Sequence, residues 1–314
     1  MAFVSFKYFV KKRKGENKMK KIGFIGLGVM GGSIVKHFLK HGYEVFVYNR
    51  TQAKAAPYLA IGAKGCATPT EVANASEIIF TMVGFPQDVE EVYFGSHGIF
   101  QGDVAGKYLV DLTTSTPSLA QKIFVKGVER FAHVLDAPVS GGDLGAQKGT
   151  LTIMVGGIEE DYAALQKEFA VFGKTINYQG VAGSGQHTKM ANQIMIAGTM
   201  TGMTELLVYA NAAGLDVEKV LATVGGGSAA NWSLSNYAPR ILQGDYTPGF
   251  FVKHFVKDLK IALEEAKKLG LDLPATAQAE ALYEKLENEG YGNDGTQSLI
   301  KLYWPEGIAP VSKK

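Results

Sequence analysis

A short apolar run, Ile22 to Ile25, leads directly into Gly26-Leu27-Gly28-Val29-Met30-Gly31. Beyond it, Ile34, Val35, Phe38 and Leu39 recur at helical spacing. His41-Gly42 supplies a stop, and a second apolar run, Val45 to Tyr48, ends in Asn49-Arg50-Thr51. The order is strand, tight glycine turn, helix, strand, which commits the first part of the chain to a parallel βαβ unit. In a chain with 38 glycines the glycine spacing alone means little; the flanking elements give it meaning. Glycines at this spacing allow a tight turn, close approach of backbone to a diphosphate, and close packing of helix on strand. The helix start adds unpaired N–H groups and the positive end of its dipole. Gly26, Leu27, Gly28, Val29, Met30 and Gly31 are therefore expected to cradle the diphosphate of a dinucleotide.

The end of the second strand bears on which dinucleotide. NAD-binding chains usually place an acid about 20 residues after the glycines, where it accepts bonds from the ribose hydroxyls. Here the residues are Asn49, Arg50 and Thr51. A carboxylate would repel a 2′-phosphate, whereas a guanidinium can pair with it through two hydrogen bonds. NADP(H) is the expected cofactor, with NAD(H) as the alternative.

At 314 residues the chain is long enough for two domains. Alternation of strand and helix continues through Glu77 to Val83, Lys107 to Asp111, His133 to Asp136, Leu151 to Val155 and Thr175 to Tyr178. Thr68-Pro69 opens an intervening helix, with Thr68 as its cap. This pattern predicts a doubly wound parallel sheet with helices on both faces. From about Gly183 the strands stop. His187 to Ala213 reads as one long helix, with further helical stretches opening at Asp216, Phe255, Ala277 and Thr296. The expected fold is α/β, with a basic extension over residues 1–18, a dinucleotide-binding domain over 19–182 and an all-α domain over 183–314. The extension places six basic residues against Glu16, and Met19 reads as a natural start. The rest is mildly acidic although the total is +2, and it contains no basic stripe of the kind that binds nucleic acid. No apolar run approaches the roughly 20 residues that span a bilayer. Cys66 is alone, which excludes an intrachain disulfide and suits a reducing cytoplasm.

Open parallel sheets bind ligands at the carboxyl ends of their strands. Three segments fall there: Met82-Val83-Gly84, Asp111 to Thr116, and Asp136 to Gly142. Ser140-Gly141-Gly142 offers a hydroxyl and closely spaced N–H groups suited to a carboxylate. Lys189 and Asn192 are three apart near the start of the long helix and share a face, whereas His187 points elsewhere. Carbonyl reduction needs a proton donor at the oxygen that gains charge, and a protonated lysine supplies both proton and charge. Asn192 can orient the lysine or the substrate oxygen.

The constellation resembles the β-hydroxyacid dehydrogenase family from about Lys20 to Leu302. It rests on GFIGLGVMGG, DLTTSTP, DAPVSGG, GSGQHTKMANQ and Lys257-Asp258-Leu259, in the family's order. The resemblance implies an N-terminal Rossmann-type domain and a helical second domain joined by a long interdomain helix. It implies that Lys189 is the catalytic acid/base assisted by Asn192, and that Ser140, Gly141 and Gly142 hold a substrate carboxylate. Thr114 and Met82-Val83 would line the nicotinamide, and Lys257 would reach the cofactor with Asp258 beside it. The family's usual Asp-x-Ser-Thr is Asp111-Leu112-Thr113-Thr114 here, which keeps the hydroxyl. Asn-Arg-Thr after the second strand is more similar to the NADPH-using glyoxylate and succinic semialdehyde reductases than to the NAD-using 3-hydroxyisobutyrate dehydrogenases. The expectation is an NADP(H)-dependent oxidoreductase that interconverts small carboxylate-bearing aldehydes and hydroxy acids. Oxidation of 3-hydroxyisobutyrate or another 3-hydroxy acid is the alternative, ahead of a dinucleotide-binding sensor without turnover. A homodimer or homotetramer is implied, with no nucleic-acid or membrane partner.

Other residues have simpler readings. His37 and His41 are spaced i, i+4, but no acid completes a metal site, so they read as a solvated pair. Trp232 and Phe250-Phe251 suit either a pocket wall or core packing. Asp216 is a helix N-cap.

Overall fold

The computed structural model describes residues 20–309; the expectations for residues 1–18 and Met19 lie outside them. Its strands are β1 (Lys21–Ile25), β2 (Glu44–Tyr48), β3 (Lys64–Gly65), β4 (Ile78–Thr81), β5 (Tyr108–Asp111), β6 (His133–Asp136), β7 (Val139–Ser140), β8 (Leu151–Gly157) and β9 (Gly173–Gly180). The helices of the same region are α1 (Val29–Lys40), α2 (Ala56–Leu59), α3 (Pro69–Ala75), α4 (Pro86–Phe94), α5 (Pro117–Glu129), α6 (Gly142–Lys148), α7 (Glu159–Ala164) and α8 (Gln166–Phe169). The strands form one sheet in the order β3-β2-β1-β4-β5-β6-β8-β7, with β9 on β8.

Period-two burial explains why helices cover both faces. Ile22, Phe24, Ile78 and Phe80 pack with Phe38 of α1 and with Phe169 and Phe172. Their neighbours Ile25 and Ile79 turn to the other face and pack with Val72, Val89, Leu119 and Ile123. Gly23 in β1 leaves room for α3, because a Cβ there would meet Val72 Cγ1 at 2.5 Å. The strand order reverses direction at β1, where β2 lies on one side and β4 on the other, and a ligand crevice forms at such a point.

The sheet is not parallel throughout, as the alternation of elements had suggested. β8 runs antiparallel to both β6 and β7, and β9 follows β8. The short α6 explains the reversal: it turns the chain back along the sheet instead of carrying it over as a crossover helix. The glycines of GGDLGAQKG disguise this seven-residue helix in the sequence. His37 is not solvated as its spacing suggested. Its Nε2 lies 3.0 Å from the carbonyl of Ala146 and 3.1 Å from that of Gln147, so it ties α1 to the C-terminal end of α6. His41 is exposed and bonds the His37 carbonyl.

The second part is helical: α9 (Ser184–Ala212), α10 (Val217–Val224), α11 (Trp232–Leu242), α12 (Val252–Lys268) and α13 (Pro274–Leu286), closed by a 3₁₀ turn over Thr296–Leu302. At 29 residues α9 is about 44 Å long. Its first turns pack on β8 and β9, and its later turns on α11, α12 and α13. Met200, Met203 and Leu207 of α9 share a core with Phe255, Leu259 and Tyr283. Asp216 caps α10 by accepting from Lys219 N–H, and Thr68 caps α3 by accepting from Glu71 N–H. α11 adds a helix to those expected from the sequence; Asn231 caps it, and Pro239 sits inside it. Trp232 is not core: it is 61% exposed at the start of α11, edge-on to Tyr237. Among the described residues no helix is long and apolar enough to cross a membrane, and no group of three His, Cys, Asp or Glu is disposed to hold a metal.

Candidate active site

The three glycines of the turn have three different local tasks. Gly26 has φ +101°, and a Cβ there would lie 2.1 Å from the Met82 carbonyl, so it makes the tight turn against the end of β4. A Cβ on Gly31 would lie 2.1 Å from the Gly26 carbonyl, so Gly31 lets α1 close on the turn. A Cβ on Gly28 would meet nothing within 4 Å. Packing therefore does not require Gly28, which suits the approach of a ligand. Gly28 is the N-cap of α1, no side chain caps the helix, and its first turn holds no acid. An uncapped dipole end above open space fits a dinucleotide diphosphate. Val29 is largely exposed, and Met30 packs against the core.

Asn49 has a role that the sequence did not reveal. Its Oδ1 accepts from Leu27 N–H at 2.8 Å while its Nδ2 donates to the Thr51 carbonyl at 2.9 Å. It fixes the glycine turn to the end of β2. Arg50 is 84% exposed, and its Nη1 lies 2.7 Å from Asp88 Oδ1 in the first turn of α4. Since β2 and β4 flank β1, this pair spans the mouth of the crevice.

Three strand-end loops meet one segment of the helical part. The turn after β7 carries φ +126° at Gly141 and +62° at Gly142, and Asp143 N–H donates to the Gly249 carbonyl at 3.3 Å. Lys257 of α12 donates through Nζ to the Thr114 carbonyl at 2.7 Å. The His254 ring lies 5.4 Å from that of Phe85, in the loop after Met82-Val83. Val83 N–H is held by Thr113 Oγ1, the hydroxyl that replaces the family's serine. Residues 249–257 thus close over all three loops. Burial, aided by Lys257, pushes His254 down to about 4, so its imidazole is neutral.

The start of α9 is fastened to the strand ends from a distance. Gly183 has no side chain to cap the helix; Asp136 of β6 does so instead, accepting from Gly183 N–H at 2.8 Å and Gln186 N–H at 2.9 Å. Burial raises Asp136 against the lowering effect of those bonds. Gln186 accepts from Ser115 N–H and donates to the Thr113 carbonyl. Asp111, bonded by Thr81 and Thr113, is pushed up to about 6 by burial. The sequence gives no individual signal for Asp136, Gln186 or Asp111. Their partners lie tens of residues away, so no local pattern announces them.

One turn further on, Lys189 is 6% exposed, with its Nζ 6.0 Å from the centre of the Phe250 ring. Burial pushes its ammonium down to about 8; Asp258 opposes the change and Lys257 adds to it. Lys257 Nζ is 3.0 Å from Asp258 Oδ1. Gln193 Nε2 donates to Asp258 Oδ2 at 2.7 Å, and Asn192 Nδ2 donates to Gln193 Oε1 at 2.8 Å. Lys189, Asn192, Lys257, Asp258 and Thr114 therefore belong to one neighbourhood between the two parts of the chain. Arg50 and Thr51 lie at the other end, beside the glycine turn. Ser140, Gly141 and Gly142 adjoin through Gly249.

Residues 21–183 match the family model described as the NAD-binding domain of 6-phosphogluconate dehydrogenase. Residues 183–303 match that described as NAD-binding of NADP-dependent 3-hydroxyisobutyrate dehydrogenase. The chain belongs to the β-hydroxyacid dehydrogenase family. It is 54% identical to an uncharacterised oxidoreductase of Bacillus subtilis over 90% of this chain and 99% of that protein. It is 38% identical to 2-hydroxy-3-oxopropionate reductase of Escherichia coli over 88% of this chain and 93% of that one. The solved 3-hydroxyisobutyrate dehydrogenase of Mycobacterium tuberculosis superposes with a TM-score of 0.84, covering 91% of this chain and 99% of that one; at 24% identity the likeness is one of fold. This β-hydroxyacid dehydrogenase is an NAD(P)-dependent oxidoreductase acting on hydroxyl donors.

Proposed function

We propose that this enzyme is an NADP(H)-dependent reductase of small aldehydes that carry a carboxylate, returning the corresponding hydroxy acids. The observation that carries the reading is Lys189: a buried ammonium, pushed down to about 8, on the same helix face as Asn192. Such a group is largely protonated at neutral pH and gives up its proton readily. A bound NADPH would deliver two electrons and a hydrogen to the carbonyl carbon. Lys189 gives its proton to the carbonyl oxygen as charge develops there, becomes a neutral amine, and recovers a proton from solvent. Asn192 orients the oxygen or the lysine. General-acid assistance of this kind contributes about 10² to 10⁴ in rate.

Ser140, Gly141 and Gly142 hold the substrate carboxylate, and Lys257 and Asp258 border it. Gly26 to Gly31 hold the cofactor diphosphate, with Met82, Val83 and Thr114 around the nicotinamide. Asn49 serves cofactor binding through its bond to Leu27. Arg50, with Thr51 beside it, favours NADP(H) by pairing with the 2′-phosphate after leaving Asp88. Residues 19–182 form the cofactor domain and 183–314 the substrate domain of a cytoplasmic homodimer or homotetramer. Support for an aldehyde acid comes from the relative named 2-hydroxy-3-oxopropionate reductase. A second reading, oxidation of 3-hydroxyisobutyrate or a similar acid, draws support from the same lysine, which is a competent base above pH 8. It also draws support from a 47% identical Arabidopsis thaliana relative named as a probable 3-hydroxyisobutyrate dehydrogenase-like protein.

The test is turnover by wild type and Lys189→Ala against glyoxylate and against succinic, tartronate and methylmalonate semialdehydes. Wild type should oxidise NADPH with at least one of them. The variant should lose at least about 10²-fold in kcat yet still quench with NADPH. Near-normal kcat in the variant removes the lysine from the mechanism.

A further inference from the structure

Asn192 is half-buried and Gln193 wholly buried, and an amide can face either way round. Here the direction is forced. Asp258 is 1% exposed and, as a carboxylate, can only accept. The end of Gln193 that lies 2.7 Å from Asp258 Oδ2 must therefore be its NH₂. That turns Gln193 Oε1 toward Asn192, at 2.8 Å, where only an NH₂ can meet it. One N–H of Asn192 is thereby taken, which fixes the way its amide faces and leaves the second N–H and Oδ1 for other partners. Asp258 is itself fixed by Lys257, which reaches on to the Thr114 carbonyl at the end of β5.

We propose that Gln193 is a positioning residue that ties Asn192 to Asp258 and so fixes which way the Asn192 amide faces on the helix face it shares with Lys189. Held this way round, Asn192 can accept from the Lys189 ammonium through Oδ1 and can donate to the substrate oxygen through its second N–H, and so fixes the line along which the lysine proton moves. Because the chain runs through α12 to Thr114, that alignment exists only when α12 is seated on the strand ends. The proposal rests on the assignment of Lys189 and Asn192 as the acid and its assistant.

The test compares Gln193→Met, Gln193→Glu, Asp258→Asn and the double exchange Gln193→Glu/Asp258→Asn. Gln193→Met keeps length and apolar volume but removes both bonds. It should lower kcat by about 10²-fold, the cost of roughly 1 Å of misplacement, while substrate KM and the Kd for NADPH change less than about threefold. Gln193→Glu alone sets two carboxylates in contact and should be worse. The double exchange restores a complete chain: the new amide at position 258 donates to the new carboxylate at position 193, which in turn accepts from Asn192. It should recover at least about tenfold in kcat over either single exchange, an effect that loss of packing does not produce. Thermal melting of each variant confirms that it is folded. A folded Gln193→Met with kcat within twofold of wild type overturns the proposal, as does a double exchange no better than the poorer single one. Asn192→Ala separates the two levels of inference. Full activity in that variant defeats the assistant role on which the proposal stands. A slow Asn192→Ala beside a normal Gln193→Met defeats the positioning role alone.

Discussion

Replacing Lys189 by methionine should make the protein more stable at neutral pH while abolishing turnover. The argument begins with burial. An ammonium that titrates at 10.5 in water is pushed down to about 8 here, chiefly by loss of solvent. Each pH unit of difference is worth about 1.4 kcal/mol, so the charged lysine costs the native state about 3 kcal/mol, an upper figure. Above pH 8 the native protein sheds the proton while the unfolded chain keeps it up to 10.5. The unfolded state therefore binds more protons across that window, and stability rises with pH through it. Below pH 8 the full penalty is present. Methionine retains the length and apolar stem beside Phe250 and removes the charge. Urea denaturation at pH 7 should show Lys189→Met more stable by about 1–3 kcal/mol, and at pH 10.5 the advantage should shrink toward zero. A variant that is less stable at pH 7, or whose advantage does not depend on pH, would show that the lysine is not held against a desolvation cost. It would also remove the physical ground for a ready proton donor.

Two further predictions concern the cofactor. Gly28→Ala should melt within about 2 °C of wild type, since its Cβ meets nothing, yet raise the Kd for NADPH at least about tenfold. Gly31→Ala, driven into the Gly26 carbonyl, should lose about 1–3 kcal/mol of stability. That is about 2–4 °C of melting temperature for each kcal/mol. If Gly28→Ala binds NADPH normally by fluorescence titration, the turn is structural only. Arg50→Gln should weaken NADPH in the same titration and leave NADH nearly unchanged, with a difference that shrinks as salt rises. Equal effects on both cofactors would show that Arg50 does not read the 2′-phosphate.

The elements that were legible in the sequence are those whose cause is local. The glycine turn declares itself because its turn, approach and packing demands fall within six residues. Thr68 and Asp216 declare their helices because a cap acts on an N–H three residues away. What escaped depends on distance. The cap of α9 comes from Asp136, 47 residues before Gly183, and the amide chain behind Asn192 ends 65 residues beyond Gln193. The place of Asn49 after β2 points to the cofactor, although its side chain holds the turn that would hold the cofactor. The reversal of β8 is equally silent, because antiparallel and parallel strands that are buried on both faces carry the same apolar run.

The charges of the cleft suggest how substrate and acid are coupled. Among the described residues Lys189 and Lys257 both face the carboxylate of Asp258, and Lys257 itself helps to hold Lys189 below its ordinary range. A buried neighbourhood with this surplus of positive charge favours an anion. If the substrate carboxylate enters beside Ser140, it supplies the missing negative charge, and the pKa of Lys189 must rise. Substrate binding is then linked to proton uptake: the same ligand that presents the carbonyl raises the protonated fraction of the acid. Calorimetry of the binary NADPH complex with a non-reducible dicarboxylate, repeated in buffers of different ionisation enthalpy, measures that uptake. It should be largest near pH 8 and absent in Lys189→Met. Proton uptake of the same size in the variant would assign the titrating group elsewhere.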